Sequence, residues 1–212
     1  MTYAYRLMNS PVGELKLVAN GNRLAAILWE NDKPNRVRLP ERVEAEDRAI
    51  LIETERQLNE YFAGTRDRFD LELDFQGTDF QKKVWAALLT IPFGETRSYS
   101  DIAMQIGNIN AVRAVGAANG RNPISIVAPC HRVIGASGDL TGFAGGLANK
   151  MFLLSLEAGQ TSLEAAADSN AAATSTVATD STVALTAVVR DTPAKPVRPA
   201  PSRGTQASLF GH

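Results

Sequence analysis

Pro129, Cys130, His131, Arg132 and Val133 bring together the only cysteine of the chain and one of its two histidines. A thiol at neutral pH is a weak nucleophile until a neighbouring base or a positive field converts it to thiolate, and imidazole is the side chain best suited to that task. The pairing makes Cys130 the candidate nucleophile and His131 its candidate base. Taken alone, a single cysteine also fits a small buried hydrophobe, and that reading stays open here. A structural zinc site asks for about four Cys or His ligands, whereas the chain offers Cys130, His131 and His212, so no metal is expected. A lone cysteine also forbids a disulfide within the chain and fits a reducing cytoplasm.

The elements that must hold this pair come from a chain of 212 residues with 44% hydrophobic composition, enough to bury a core. Residues 1–11 alternate aromatic and polar side chains and lack both a signal-peptide apolar run and the length of a membrane span. A net charge of −1 argues against coating nucleic acid by bulk electrostatics. The charge is uneven: residues 1–76 hold 11 Lys or Arg against 14 Asp or Glu (11 − 14 = −3), and residues 77–160 hold 7 against 5 (7 − 5 = +2). An anionic partner should meet the second segment.

In the first segment Tyr3, Tyr5 and Leu7 share one face of a strand, Leu15 to Ala19 continue as a second, and Asn20-Gly21 predicts a tight turn into Leu24 to Trp29. Ala49 to Phe62 predicts a helix, with Leu51, Glu55, Leu58 and Phe62 at helical spacing and Gly64 ending it. Nothing in this half suggests catalysis. The second segment opens with Thr78 and Gln81 spaced as a capping box, followed by an apolar stripe of Phe80, Val84 and Leu88. Ser98 or Ser100 caps a next helix with Ile102, Ala103 and Ile106 inward and Gly107 at its end. A third helix, Ala111 to Asn119, is nearly without bulk. Helix, Gly-containing turn, helix is the spacing of a helix-turn-helix, and equally that of a tightly packed core pair. Of the last 52 residues 12 are Ala, 8 Thr, 6 Ser and 4 Pro, too little apolar surface to offset ordering entropy, so 161–212 is expected to be disordered.

With these residues in view, the chain resembles the O6-alkylguanine-DNA alkyltransferases, the methylated-DNA–protein-cysteine methyltransferases, over roughly residues 1–160. The resemblance rests on Arg97-Ser98-Tyr99, Arg113-Ala114-Val115-Gly116, Asn122-Pro123, Pro129-Cys130-His131-Arg132-Val133 and Gly145-Gly146-Leu147, occurring in family order. It implies an α+β protein of the stand-alone bacterial form. The domains implied are 1–76, a small antiparallel sheet with helices that is ribonuclease H-like, and 77–160, a mostly helical winged-helix-like domain with the helix-turn-helix. The tail 161–212 follows.

The activity implied is DNA repair by irreversible, stoichiometric transfer of the alkyl group of O6-alkylguanine to Cys130, with O4-alkylthymine as a second candidate lesion and no cofactor. His131 and Glu157 would complete a relay. Tyr99 would help turn out the nucleotide and protonate the leaving base, and Arg113 would fill the vacated stack. Ala114 and Ala118 would allow close approach to the minor groove, Asn122, counted with them among the DNA-binding residues, would tie that helix to the cysteine turn, and Val133, Phe143, Ala144 and Lys150 would line the guanine pocket. The partner implied is double-stranded DNA bound by a monomer. Gln206, Leu209 and Phe210 resemble a sliding-clamp docking peptide. Two other classes compete: a non-catalytic lesion-recognition protein of the same fold, against which Cys130 argues, and a cysteine hydrolase, for which no substrate-pocket signature is present.

Overall fold

The computed structural model describes residues 3–159 apart from 41 and 46. The strands are β1 (Tyr3–Ser10), β2 (Gly13–Asn20), β3 (Arg23–Trp29), β4 (Arg42–Glu44), β5 (Arg97–Ser98) and β6 (Val133–Ile134). The helices are α1 (Ala49–Phe62), α2 (Asp79–Leu88), α3 (Tyr99–Gln105), α4 (Val112–Gly120) and α5 (Leu147–Glu157). The result is a mixed α and β protein, with its sheet in the N-terminal half.

That sheet has the order β3-β2-β1-β4. Two-residue loops force β1, β2 and β3 to run antiparallel, but β4 pairs with β1 in parallel, so the sheet is not purely antiparallel. The longer connection between β3 and β4 returns the chain in the direction of β1, which no tight hairpin could do. The second hairpin also differs by one residue from expectation. Asn20 pairs with Arg23, leaving Gly21 and Asn22 as the loop, and Gly21 alone of the two takes a positive φ, +59°.

Alternation along β1 divides its side chains between two packing surfaces. Ala4 and Met8 face the main core with Leu15, Leu17 and Ala19 of β2, and α1 covers them with Leu51, Leu58 and Tyr61. Tyr3 and Tyr5 point the other way, against Val18, Ala26 and the loop residues Val37 and Leu39, and Leu7 on that face is exposed. The inward side of α1 is Leu51, Thr54, Gln57, Leu58 and Tyr61, not the stripe through Glu55, because Glu55 turns outward to pair with Arg6 at 2.5 Å.

The second half begins with a true capping box: Thr78 accepts from the Gln81 amide, and Gln81 reaches back to the Thr78 amide. α2 buries Val84, Trp85 and Leu88. The Trp85 indole donates to the Ala118 carbonyl at 2.9 Å and so clamps α2 to α4. Gly77 makes room for that ring, since a Cβ there would lie 2.6 Å from it. Ser98, with Asp101, boxes the start of α3, and Gly107 ends it at φ +76°.

α4 buries Val115, Ala118 and Asn119 and leaves Arg113, Ala114 and Ala117 in solvent. The main core joins the sheet and α1 to Ile124, Ile126 and Val127 and to Leu153 and Leu156 of α5, so the segments 1–76 and 77–159 share it. Among the described residues no helix is long and apolar enough to cross a membrane. The tail expected to be disordered, including Gln206, Leu209 and Phe210, lies outside the described residues.

Candidate active site

Cys130 opens a single 3-10 turn, Cys130–Arg132, which follows a loop that the chain has folded back on itself. Asn122, fully buried, accepts from the Ile124 amide at 3.1 Å and donates to the Ala128 carbonyl at 2.7 Å. The Ala128 amide closes the same loop on the Ile124 carbonyl, and the Cys130 amide bonds back to Ala128 at 2.8 Å. At the middle of the loop Ile126 has φ +72°, a conformation that a β-branched residue adopts only when its surroundings over-determine it. Two side chains brace the loop from outside. Arg36, paired with Asp32, donates to the Asn122 carbonyl at 2.5 Å, and Asn119 of α4 donates to the Cys130 carbonyl at 3.4 Å.

Beyond the turn, β6 pairs in parallel with β5, Val133 against Arg97 and Ile134 against Ser98. This short ladder ties the cysteine turn to the residue before Tyr99. The Tyr99 hydroxyl accepts from Thr141 at 3.1 Å, which links α3 to the loop between β6 and α5.

His131 is fully buried, and its Nε2 lies 2.7 Å from Glu157 Oε1. The carboxylate receives four further donors: Tyr61 Oη at 2.7 Å, Arg132 Nε at 2.8 Å, Arg132 Nη2 at 3.0 Å and the Gly94 amide at 3.2 Å. Burial by itself would push the Glu157 carboxyl up, but hydrogen bonds from His131 and Arg132 and the charge of Arg132 outweigh it and hold the group at about 2. An ionised carboxylate only accepts, so Nε2 carries the imidazole hydrogen and Nδ1 is left with its lone pair. Nδ1 is buried and has no hydrogen-bond partner among the described residues. Burial lowers the His131 pKa despite Glu157, and burial raises that of the Cys130 thiol despite Asn122, Arg36, Ser125 and Lys150. The resting pair is therefore thiol and neutral imidazole, a nucleophile beside a base with a free lone pair.

Lys150 is fully buried, with no carboxylate bonded to it among the described residues. Its ammonium donates to the Val133 carbonyl at 2.6 Å and the Thr141 carbonyl at 3.0 Å, holding the loop between β6 and α5 against the cysteine turn. Phe143 in that loop stands edge-on to His131 at 6.4 Å between centroids.

The structure thus brings together Cys130, His131, Glu157, Val133, Phe143 and Lys150, with Ala144 half-buried nearby in sequence and Tyr99 at the Thr141 contact. Arg113 and Ala114 lie on the open side of α4. Two residues named for DNA contact do not face solvent. Ala118 is 3% exposed, because the inward side of α4 repeats through Val115, Ala118 and Asn119, and Ala117 takes its place on the open side. Asn122 is wholly internal and acts as the brace described above.

Sequence reasoning missed Tyr61, Arg132 and Asn119, and its view that the N-terminal half is silent is corrected by Tyr61. No local pattern marks these residues. The usable signal was the unusual burial demand of an Arg within an apolar run, Val127 to Val133, which asks for an acid elsewhere.

Compared with known proteins, residues 3–75 match "6-O-methylguanine DNA methyltransferase, ribonuclease-like domain" and residues 79–159 match "6-O-methylguanine DNA methyltransferase, DNA binding domain". The methylated-DNA–protein-cysteine methyltransferase of Mycobacterium bovis is 53% identical over 155 residues, 72% of this chain and 91% of the relative. That of Methanosarcina barkeri is 49% identical over 153 residues, covering 72% and 96%. The crystal structure of Mycobacterium tuberculosis OGT in complex with DNA superposes with a TM-score of 0.69 at 49% identity, covering 74% of this chain and 94% of that one.

The folded Glu157 carboxyl titrates near 2 against an ordinary 4.5, so its contribution is complete above about pH 4.5 and is lost as pH falls through the folded value. His131, whose pKa burial lowers from an ordinary 6.5, adds to the acid loss from that pH downward. Urea unfolding should therefore show stability falling by about 3 kcal/mol between pH 4.5 and 2 on account of Glu157. Glu157→Gln should remove that fall and cost roughly 3–5 kcal/mol at pH 7, because Arg132 stays buried with its charge unpaired. A Glu157→Gln variant of undiminished stability at pH 7 would contradict this reading of the network.

Proposed function

The chain belongs to the 6-O-methylguanine DNA methyltransferase family, and from that premise we propose which of its residues carry the reaction. The family activity is DNA repair by transfer of an alkyl group to a cysteine of the protein, and this chain holds one cysteine, Cys130. The observation that carries the assignment is the buried His131, its Nε2–H held by Glu157 and its Nδ1 free to receive a proton. In the proposed step, the thiol proton passes to His131 through a bound water, and Sγ attacks the alkyl carbon on O6 of guanine. The S–C bond forms as the O6–C bond breaks, both electrons of the latter staying on the base. Tyr99 donates a proton to the departing guanine and is reprotonated from His131, so the thiol hydrogen ends on the restored base. The product thioether is a poor electrophile, and one molecule repairs one lesion.

For DNA, α3 and α4 are read as a helix-turn-helix within a winged-helix-like domain, which follows an N-terminal ribonuclease H-like one. The open side of α4 carries Ala114 and Ala117, small enough for a minor groove about 6 Å wide. Arg113 on the same helix would enter the stack that the flipped base leaves, a gap costing a few kcal/mol to open. Phe143 and Lys150, with Val133 and Ala144, would shape the guanine pocket. The protein acts as a cytoplasmic monomer in this reading, and Gln206, Leu209 and Phe210 dock on the replicative sliding clamp.

Two measurements test this. After incubation with a duplex containing O6-methylguanine, intact and peptide mass spectra should show one methyl group per chain, on Cys130, and Cys130→Ala should repair nothing. Repair beyond one equivalent, or methyl on another residue, would contradict it. Deleting 206–212 should abolish binding to the clamp while leaving repair of short duplexes unchanged, and equal clamp affinity of the shortened chain would remove that partner.

A further inference from the structure

Tyr61, in the last turn of α1, is the side chain by which the N-terminal half reaches the candidate site, and the reaction proposed above gives it no part. It is wholly buried, and Phe62, Phe69 and Phe93 enclose its ring, with centroids 5.5, 5.5 and 6.1 Å away. A ring packed on several sides holds its hydroxyl in one place. That hydroxyl lies 2.7 Å from Glu157 Oε1. Burial and the Glu157 charge push the phenol far above its ordinary range, so it stays protonated and acts toward the carboxylate only as a donor.

Glu157 Oε1 is crowded. It accepts from His131 Nε2 at 2.7 Å, from the Tyr61 hydroxyl at 2.7 Å and from Arg132 Nη2 at 3.0 Å, whereas Oε2 accepts from Arg132 Nε at 2.8 Å and the Gly94 amide at 3.2 Å. An ionised carboxylate offers about two lone-pair sites on each oxygen, so three donors on Oε1 draw on the same electron density. The phenol bonds most strongly while His131 is neutral, because an imidazolium would already have drawn the carboxylate charge toward itself. A donor that binds one protonation state more tightly favours that state. Arg132 is committed to both carboxylate oxygens and to the Ile91 carbonyl, so of the donors on Oε1 Tyr61 is the one that can be withdrawn without leaving a buried charge unpaired.

We propose that Tyr61 is a positioning residue of the alkyl transfer: by sharing Glu157 Oε1 with His131 it keeps the imidazole a weak base, one that takes the thiol proton and readily gives it up. This role rests on the reaction assigned above. There His131 holds the proton only between its departure from sulfur and its passage to Tyr99, and a base strengthened by an unshared carboxylate would be charged before the substrate arrived. The other titratable or charged groups facing the imidazole are Glu157 and Lys150 from α5 and Cys130 and Arg132 from its own turn, and all of them are retained when Tyr61 is changed.

The test follows the ring nitrogens of His131 in the full isotope-labelled chain without DNA, beside the pH profile of methyl transfer from a duplex containing O6-methylguanine. Tyr61→Phe removes the donor and keeps the ring. Its His131 midpoint should rise by about one pH unit, a tenfold gain in the ratio of imidazolium to imidazole, and the acid limb of the transfer rate should move up with it. A ring-fluorinated tyrosine introduced at position 61, a more acidic phenol and so a stronger donor, should move both downward, and serves alone if Tyr61→Phe does not fold. Identical His131 nitrogen resonances in the folded variant and the parent at every pH overturn the proposal, and so does slower transfer with an unmoved midpoint, the mark of a purely structural role. A moved midpoint in a protein that never accepts a methyl group would instead overturn the assigned reaction and leave the shared oxygen standing.

Discussion

The Glu157 carboxylate is the point on which this structure turns. Buried at the end of α5, it draws donors from Tyr61 on α1, from the Gly94 amide after α2, and from His131 and Arg132 in the cysteine turn. A carboxylate taken out of water would ordinarily take up a proton; this one stays ionised because each oxygen is hydrogen-bonded and a guanidinium balances the charge. Arg132 in turn has its remaining need met by the Ile91 carbonyl at 2.6 Å. Removing any one member leaves the others buried and unsatisfied, so the network is held together by the cost of its own disruption.

The chemical consequence follows from charge balance. Because Arg132 already neutralises Glu157, the carboxylate orients the imidazole without driving it into the charged form, and burial keeps His131 neutral. Cys130 is likewise kept as thiol. In the proposed reaction, proton transfer is thereby deferred until a substrate arrives, and the one cysteine sulfur is not exposed as a thiolate to adventitious oxidants. The positive groups near the sulfur, Arg36 and Lys150, act in the opposite sense and keep the thiolate within reach.

Much of this was legible in residue order. The cap Thr78, and Ser98 as one of two candidates, were found because a cap is a local contract between side chain and backbone three residues away, and the bounds of α1 followed from its periodicity and Gly64. Cys130, His131 and Glu157 were named, and His131 meets Glu157 at 2.7 Å. What was illegible spans distance: Tyr61 and Glu157 are 96 residues apart. Periodicity reports that a side chain points inward but not what it meets there, so Tyr61 went unnamed and the N-terminal half was read as silent. The same limit misplaced Ala118, where a run of small residues hid which side of α4 was packed. The parallel pairing of β4 was hidden too, since register across a long connection depends on the whole sheet.

The proposed chemistry requires that the resting imidazole of His131 be neutral, with its hydrogen on Nε2 and a lone pair on Nδ1. The nitrogen resonances of isotope-labelled protein report this directly, and with two histidines in the chain the His131 signals separate from those of His212 by a His212→Ala control. At pH 7 the expected state is the Nε2–H tautomer, coupled to a short hydrogen bond to Glu157. A hydrogen on Nδ1, or an imidazolium in the resting protein, would contradict it.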